Sequence, residues 1–321
     1  MSRRVVPSVE EITHALRELD PVFAGSPLLR GTSLDDSGAR VALKVETLNP
    51  IRSFKGRGAT TWVRNGAADA SGVVCASAGN FGQGLAYAAR AVGMPCHVFV
   101  GAAANPAKVQ AMQRLGAEVE VGGDDSDAAI TEAQAFAEKH GLRFVQDGRD
   151  PWIAAGAATM AVETTEAGVM PDVALVPVGN SALILGIARW LRHRSAGTRI
   201  VGVCAEQAPA PALSWRQGAP VESVAGATVA DGIAVRKPFP ESVAGMLEYV
   251  DDMLLVTEAQ LRTATRRLAT DLGLLVEPAG AAGVAALLTD PDAYRDQLVF
   301  TPLCGAYLPP DALQWAPDWR G

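Results

Sequence analysis

Lys55 lies in the run Asn49-Pro50-Ile51-Arg52-Ser53-Phe54-Lys55-Gly56-Arg57-Gly58-Ala59. It follows a Ser-Phe pair and precedes Gly-x-Gly-Ala, where the pattern starts a helix. A lysine amine held in place condenses with an aldehyde to a Schiff base and, once freed, takes a proton from carbon. A lone lysine is normally a solvated surface charge, so its companions decide the reading. Val74-Cys75-Ala76-Ser77-Ala78-Gly79-Asn80-Phe81 reads as a strand, a loop of small residues and a helix start. Val176-Pro177-Val178-Gly179-Asn180-Ser181-Ala182-Leu183 reads the same way. Such loops turn backbone N–H groups toward an anion, and the helix dipole adds to the attraction. Ala230-Asp231-Gly232 and Val276-Glu277-Pro278-Ala279-Gly280-Ala281-Ala282 form two more loops, and Leu303-Cys304-Gly305-Ala306 follows the last apolar strand.

The elements that must carry these loops alternate. Strand-like runs occur at 73–77, 96–101, 118–121, 143–146, 173–178, 199–206, 253–257 and 298–303. Helical patterns fill 82–92, 106–115, 126–140, 153–167, 183–194 and 258–272. Alternation of this kind predicts parallel sheets covered by helices. The strand runs are apolar rather than alternating, as strands buried on both faces are. Pro106 suits a first helical position, and Gly93, Gly116 and Gly141 each suit a helix C-terminal cap.

The 321 residues are 49% hydrophobic and 20% charged, enough for one or two domains with a full core. A net charge of −7 and a pI near 5.2 argue against a nucleic-acid partner. Cys75, Cys96, Cys204 and Cys304 form no C-x-x-C pair, which predicts free thiols in a reducing compartment, the cytoplasm. His14, His97, His140 and His193 show no metal-ligand spacing. Met1-Ser2-Arg3-Arg4 leads into Glu10 and Glu11 rather than an apolar segment, so no signal peptide is expected. The longest nearly uncharged stretch, 173–188, is too short to span a membrane and is broken by Pro177, Gly179 and Asn180.

The blocks and their order resemble the threonine ammonia-lyase (threonine dehydratase) and serine racemase branch of the fold-type II pyridoxal 5'-phosphate (PLP) enzymes, over residues 25–307. The resemblance implies an α/β fold of the tryptophan synthase beta-like type. Two α/β domains with mostly parallel sheets would hold the cofactor in the cleft between them. The small domain is expected at 46–148, inserted into a large PLP-binding domain of 1–45 and 149–321, with no C-terminal regulatory domain. By the same resemblance Lys55 anchors PLP, Phe54 lies against its ring, and Gly179, Asn180, Ser181, Ala182 and Leu183 hold its phosphate. Relatives carry four glycines and an apolar residue there. In this chain Asn180 is the residue suited to left-handed geometry and Ser181 adds a hydroxyl donor. Ser77, Ala78, Gly79 and Asn80 correspond to the substrate-carboxylate loop, and Asn80 also to the contact with the cofactor's 3-hydroxyl. Cys304 corresponds to the position facing the pyridine nitrogen. A thiol there brings no fixed charge, which weakens the electron sink and favours β-elimination over transamination; the alternative is a small buried hydrophobe. Glu277 stays outside the expected catalytic set, ordering the pocket or beginning a helix through Pro278.

The expected reaction is β-elimination from a 3-hydroxy L-amino acid, L-threonine or L-serine, to a 2-oxo acid and ammonia. Racemases carry a serine where this chain has Ala78, so racemisation should be poor. Glu206 matches the glutamate that begins the racemase cation site, but Ala208-Pro209-Ala210-Pro211-Ala212 lacks its acidic partner, so no metal is expected. Arg52 either faces outward or pairs a second substrate carboxylate, as in 3-hydroxyaspartate. A lyase acting on 3-hydroxyaspartate, a cysteine synthase-like β-replacement enzyme and a cofactor-free binding protein remain the other readings. The expected partners are a small amino-acid substrate and a second copy of the chain, with neither nucleic acid nor membrane.

Overall fold

Ser8 opens the first helix, α1 (Val9–Arg17), with a reciprocal cap: its hydroxyl takes the Glu11 N–H and the Glu11 carboxylate takes its own. The computed structural model describes residues 4–102, 104–123, 126–223, 226–308 and 312. Along the chain follow β1 (Leu28–Leu29), β2 (Arg40–Val45), α2 (Lys55–Asn65), β3 (Val73–Ala76), α3 (Asn80–Ala91), β4 (Cys96–Val100), α4 (Pro106–Arg114), β5 (Glu118–Val121), α5 (Ser126–His140) and β6 (Arg143–Phe144). The second half continues with α6 (Pro151–Glu166), β7 (Val173–Pro177), α7 (Ala182–Arg194), β8 (Arg199–Ala205), α8 (Ala210–Gln217), α9 (Pro240–Tyr249), β9 (Asp252–Val256), α10 (Glu258–Leu272), α11 (Ala282–Thr289) and β10 (Leu298–Leu303).

Six strands form one sheet in the order β1-β2-β10-β7-β8-β9, and four form a second in the order β5-β4-β3-β6. Every pairing is parallel except β1 with β2. Apolar clusters lie on both faces of the larger sheet, one built with α6 and α7, the other with α10 and α11. The smaller sheet packs α2 and α3 on one side and α5 on the other. Burial on both faces is why β7 reads as the uninterrupted run Val-Ala-Leu-Val-Pro. β5 departs from that pattern: Glu118-Val-Glu-Val is largely exposed because it forms a sheet edge, where charge blocks further pairing. Asn105, Asp150 and Thr257 each cap the helix that follows, and Gly93, Gly116 and Gly141 end theirs with positive φ.

β2 escaped the pattern because Arg40 and Lys44 interrupt its apolar run. Both are accommodated: Arg40 is exposed at the end of the strand, and Lys44 is buried against Glu163 at 2.6 Å. β2 matters because it pairs with β10 from Arg40↔Leu298 to Val45↔Leu303 and so delivers its following loop to Lys55. The start of α2 is then clamped by two helices. A Cβ on Gly84 of α3 would stand 3.0 Å from the Lys55 carbonyl oxygen, and one on Gly156 of α6 only 2.4 Å from that of Arg57. Only glycine allows the helix axes to come so close.

Candidate active site

Four of the loops singled out in the sequence leave the C-terminal ends of parallel strands, where ligands bind in open α/β sheets, while 230–232 and 276–282 follow helices α8 and α10. Lys55 follows β2, Ser77–Asn80 follow β3, Gly179–Ser181 follow β7, and Cys304 follows β10. Their contacts close into a circle. Phe54 N–H and the Ser53 hydroxyl both donate to the Cys304 carbonyl at 3.1 Å. Ser53 also bridges Gly305. A Cβ on Gly305 would meet a Glu277 carboxylate oxygen at 2.4 Å and the Asn80 amide nitrogen at 2.9 Å. One on Gly232 would meet Glu277 Oε1 at 3.4 Å, and one on Gly179 the Gly232 carbonyl at 3.2 Å. Gly148 abuts the backbone of Asn180, and its neighbour Asp147 returns the circle to Lys55 with a 2.6 Å ion pair.

Lys55 is largely buried, with Nζ 4.7 Å from the centre of the Phe54 ring. Asn80 is the first residue of α3, and its Nδ2 donates to Glu277 Oε1 at 2.7 Å while its own Oδ1 is buried with no partner. The Ser77 hydroxyl accepts from the N–H groups of Gly79 and Gly82 at 3.3 Å, so it closes the first turn of α3. Ala78 is exposed, and the space a Cβ on Gly79 would enter is open for 4 Å. The loop therefore offers backbone to the cleft with nothing covering it.

In the Gly179–Leu183 segment the left-handed residue is Ser181, at φ 70, not Asn180. Ser181 directly precedes α7, and its hydroxyl lies 3.3 Å from the Met246 sulfur, in the core rather than toward the loop. No side chain caps α7, so the N–H groups of its first turn remain for an anion. Phe54, Leu183 and Cys304 share one apolar cluster. Burial pushes the Cys304 thiol well above its ordinary range, with Glu277 adding, so it is a neutral group at that wall. Arg52 is exposed, in left-handed backbone at φ 50, with its guanidinium 5.7 Å from the centre of the Tyr307 ring. Glu206 is exposed beyond β8, and among the described residues no group of three His, Cys, Asp or Glu side chains gathers as a metal site.

Two participants, Asp147 and Lys108, had no signal in their local sequence, and a third, Glu277, lay in a recognised loop without an assigned role. Asp147 lies in the turn before α6. Lys108 of α4, buried, pairs with Asp231 at 2.5 Å and ties the smaller sheet's layer to the loop beside Glu277. Glu277 itself begins no helix, since α11 starts at Ala282. Its two oxygens take Asn80 Nδ2 and the Tyr307 N–H. Burial raises its carboxyl from the ordinary 4.5 to about 7 against the charge of Lys108, with Asp231 adding to the rise. The folded protein thus keeps a proton that the unfolded chain releases at lower pH. Stability from this group is complete below 4.5 and is lost as pH rises to about 7. Glu277→Gln should remove that slope. In urea unfolding, wild type should lose on the order of 1 kcal/mol per pH unit relative to the variant across this window. Parallel profiles would exclude the coupling.

The site fits a planar, phosphate-bearing aldehyde. It presents an amine beside an aromatic ring, an uncapped helix N-terminus, and a buried amide oxygen at Asn80 still lacking a donor. The family model described as pyridoxal-phosphate dependent enzyme matches residues 19–305. The L-threonine ammonia-lyase of Geobacter sulfurreducens is 38% identical over 255 residues, 78% of this chain and 63% of that protein, so the chain spans less than two thirds of that relative. The L-threonine ammonia-lyase of Thermotoga maritima is 34% identical over 288 residues, covering 89% and 72%. Among solved structures, a T.th. threonine deaminase superposes with a TM-score of 0.88 at 31% identity, covering 94% of this chain and 99% of that one. Maize serine racemase reaches 0.90 at 23% identity, covering 98% and 97%, a likeness of fold.

Proposed function

The chain belongs to the pyridoxal-phosphate dependent enzyme family, and we propose that it is an ammonia-lyase converting a 3-hydroxy L-amino acid, L-threonine or L-serine, to a 2-oxo acid and ammonia. The observation that carries the reading is the ring of loops around Lys55. Close contacts join one amine, one exposed backbone loop and one uncapped helix in that ring. The 34–38% identity to proteins named L-threonine ammonia-lyase supports it.

Bound PLP supplies an electrophilic carbonyl and an electron sink that makes the substrate's α-C–H bond acidic. Lys55 Nζ would hold the cofactor, and the same amine is the base that takes the substrate's α-proton. The first turn of α7 holds the phosphate. The backbone of Ser77–Asn80 binds the substrate carboxylate, and Glu277 keeps the Asn80 amide pointed at the cofactor. The β-hydroxyl departs as water with a proton that balances the α-proton taken by Lys55, and the released enamine takes up water and hydrolyses to oxo acid and ammonia. Cys304, neutral and buried beside Phe54 and Leu183, would face the cofactor's ring without adding charge there.

The smaller sheet lies wholly within residues 73–144 and the larger wholly outside them, which supports a small domain at 46–148 inserted into a large one of 1–45 and 149–321. Four buried free cysteines support a reducing, cytoplasmic setting, and we take the working unit to be a homodimer.

Ala78 has no proton to exchange, which leaves Lys55 alone to move the α-proton. L-threonine or L-serine should give oxo acid, D-isomers little, and L-to-D conversion should stay near background. EDTA should leave the rate unchanged. A coupled oxo-acid assay and chiral chromatography read all of these. Efficient racemisation would refute the single-face argument, and turnover only with an added nucleophile would move the protein to β-replacement.

A further inference from the structure

Asp147 belongs to none of the loops recognised in the sequence, yet it touches Lys55. Its Oδ2 lies 2.6 Å from Lys55 Nζ, and both side chains are largely buried. The turn that carries it is held on each side. Gly148 has φ +84, and a Cβ there would stand 2.1 Å from the Asn180 carbonyl oxygen, so neither a side chain nor a shift is tolerated. The Gly148 carbonyl accepts from the Ser242 hydroxyl at 3.1 Å, and Asp150 caps α6 through Trp152 N–H at 3.0 Å. The carboxylate is thereby fixed beside the amine. Its other oxygen, Oδ1, is buried and has no donor. Asp147 also stands near β3: the Cys75 thiol is pushed well up by burial, then by Cys96 and by Asp147. β3 leads directly into the Ser77–Asn80 loop.

We propose that Asp147 determines substrate specificity. Its free oxygen accepts a hydrogen bond from a hydroxyl or ammonium group on the substrate's β-carbon, and its charge rejects a β-carboxylate. The inference rests on the lyase reading above. Lys55 must reach the proton on the α-carbon, so a group bonded to Lys55 Nζ lies beside the α- and β-carbons. A fixed carboxylate with an unused acceptor suits a donor at the β-position, whereas a second anion there meets a like charge in a site with little water. Arg52 does not offset this, because its guanidinium lies at the exposed rim over Tyr307. The 3-hydroxyaspartate reading is thus disfavoured by a residue that the sequence pattern did not reveal.

The test compares kcat/KM of wild type, Asp147→Asn and Asp147→Ser for L-serine, L-2,3-diaminopropionate and L-threo-3-hydroxyaspartate. Both variants should narrow the preference for L-serine over L-threo-3-hydroxyaspartate by about 100-fold, chiefly through KM of the acidic substrate, because a like-charge contact is removed. L-2,3-diaminopropionate should fall in the same variants. Equal losses on all three substrates would reduce Asp147 to a support for Lys55 and overturn the proposal. A measurement on unmutated holoenzyme guards against variants that do not fold. L-asparagine and L-aspartate differ only in β-charge, and titration of the bound cofactor's absorbance should show L-asparagine binding at least about tenfold more tightly. Equal binding would overturn the proposal. That titration needs no turnover, so it stands apart from failure of the lyase reading, which would appear as no oxo acid from any 3-hydroxy amino acid.

Discussion

Lys55→Ala should lower turnover by at least about 10³-fold, since one residue supplies both the covalent hold on the cofactor and the base. The fold should survive. Lys55 is the first residue of α2, alanine is the best helix former, and the crossings at Gly84 and Gly156 meet the main chain of Lys55 and Arg57 rather than the Lys55 side chain. The cost is Asp147, left without its partner in a partly buried setting, which should appear as a small fall in melting temperature. Borohydride reduction of wild-type holoenzyme should fix the pyridoxyl group on the peptide containing Lys55, and the variant should take no label. Lys44 and Lys108 are the competing amines, but each side chain is 3% exposed against 16% for Lys55, and only Lys55 lies over the Phe54 ring among the described residues. Label on either of them, or turnover by the variant, would remove Lys55 from its role.

The residues legible in the sequence share one property: their signal is local. Ser77–Asn80, Gly179–Leu183 and Cys304 sit where an apolar strand gives way to small residues, and Lys55 sits between a Ser-Phe pair and Gly-x-Gly-Ala; each signal can be read within about ten positions. α5, α10, β5 and β10 fall on their expected boundaries for the same reason. Asp147 could not be found that way, since its partner is 92 residues distant, and Asp231 is 123 from Lys108. Glu277 lay in a recognised block, but its meaning comes from Asn80, 197 residues away, and from burial. The left-handed residue was expected at Asn180 on intrinsic preference. Ser181 takes it because its side chain drops against Met246, so packing overrides propensity.

Arg57 illustrates the same limit with the largest expected effect on stability. Two residues after Lys55, it is fully buried, and all five of its N–H donors are used. Nε binds Glu46 at 2.8 Å; one terminal nitrogen binds Glu163 and Thr159 at 2.9 Å; the other binds Glu163 and Ser26 at 3.0 Å. Burial pushes the Glu163 carboxyl up, but Arg57 and then Lys44 outweigh it and hold the group below its ordinary 4.5. Its contribution to stability is therefore present above 4.5 and lost as pH falls below it. Arg57→Ala strands Glu46, fully buried, and takes the fork away from Glu163. Breaking such a network from one side should cost about 3–5 kcal/mol. Arg57→Lys should recover only part, because an ammonium cannot span both carboxylates and the two hydroxyls. The helix that begins at Lys55 rests on this network, so both variants should weaken cofactor retention along with stability. Urea unfolding of the cofactor-free and loaded forms measures the two effects separately. A loss below about 1 kcal/mol for Arg57→Ala would mean that water enters and solvates the stranded carboxylates, and that the network does not hold α2 in place.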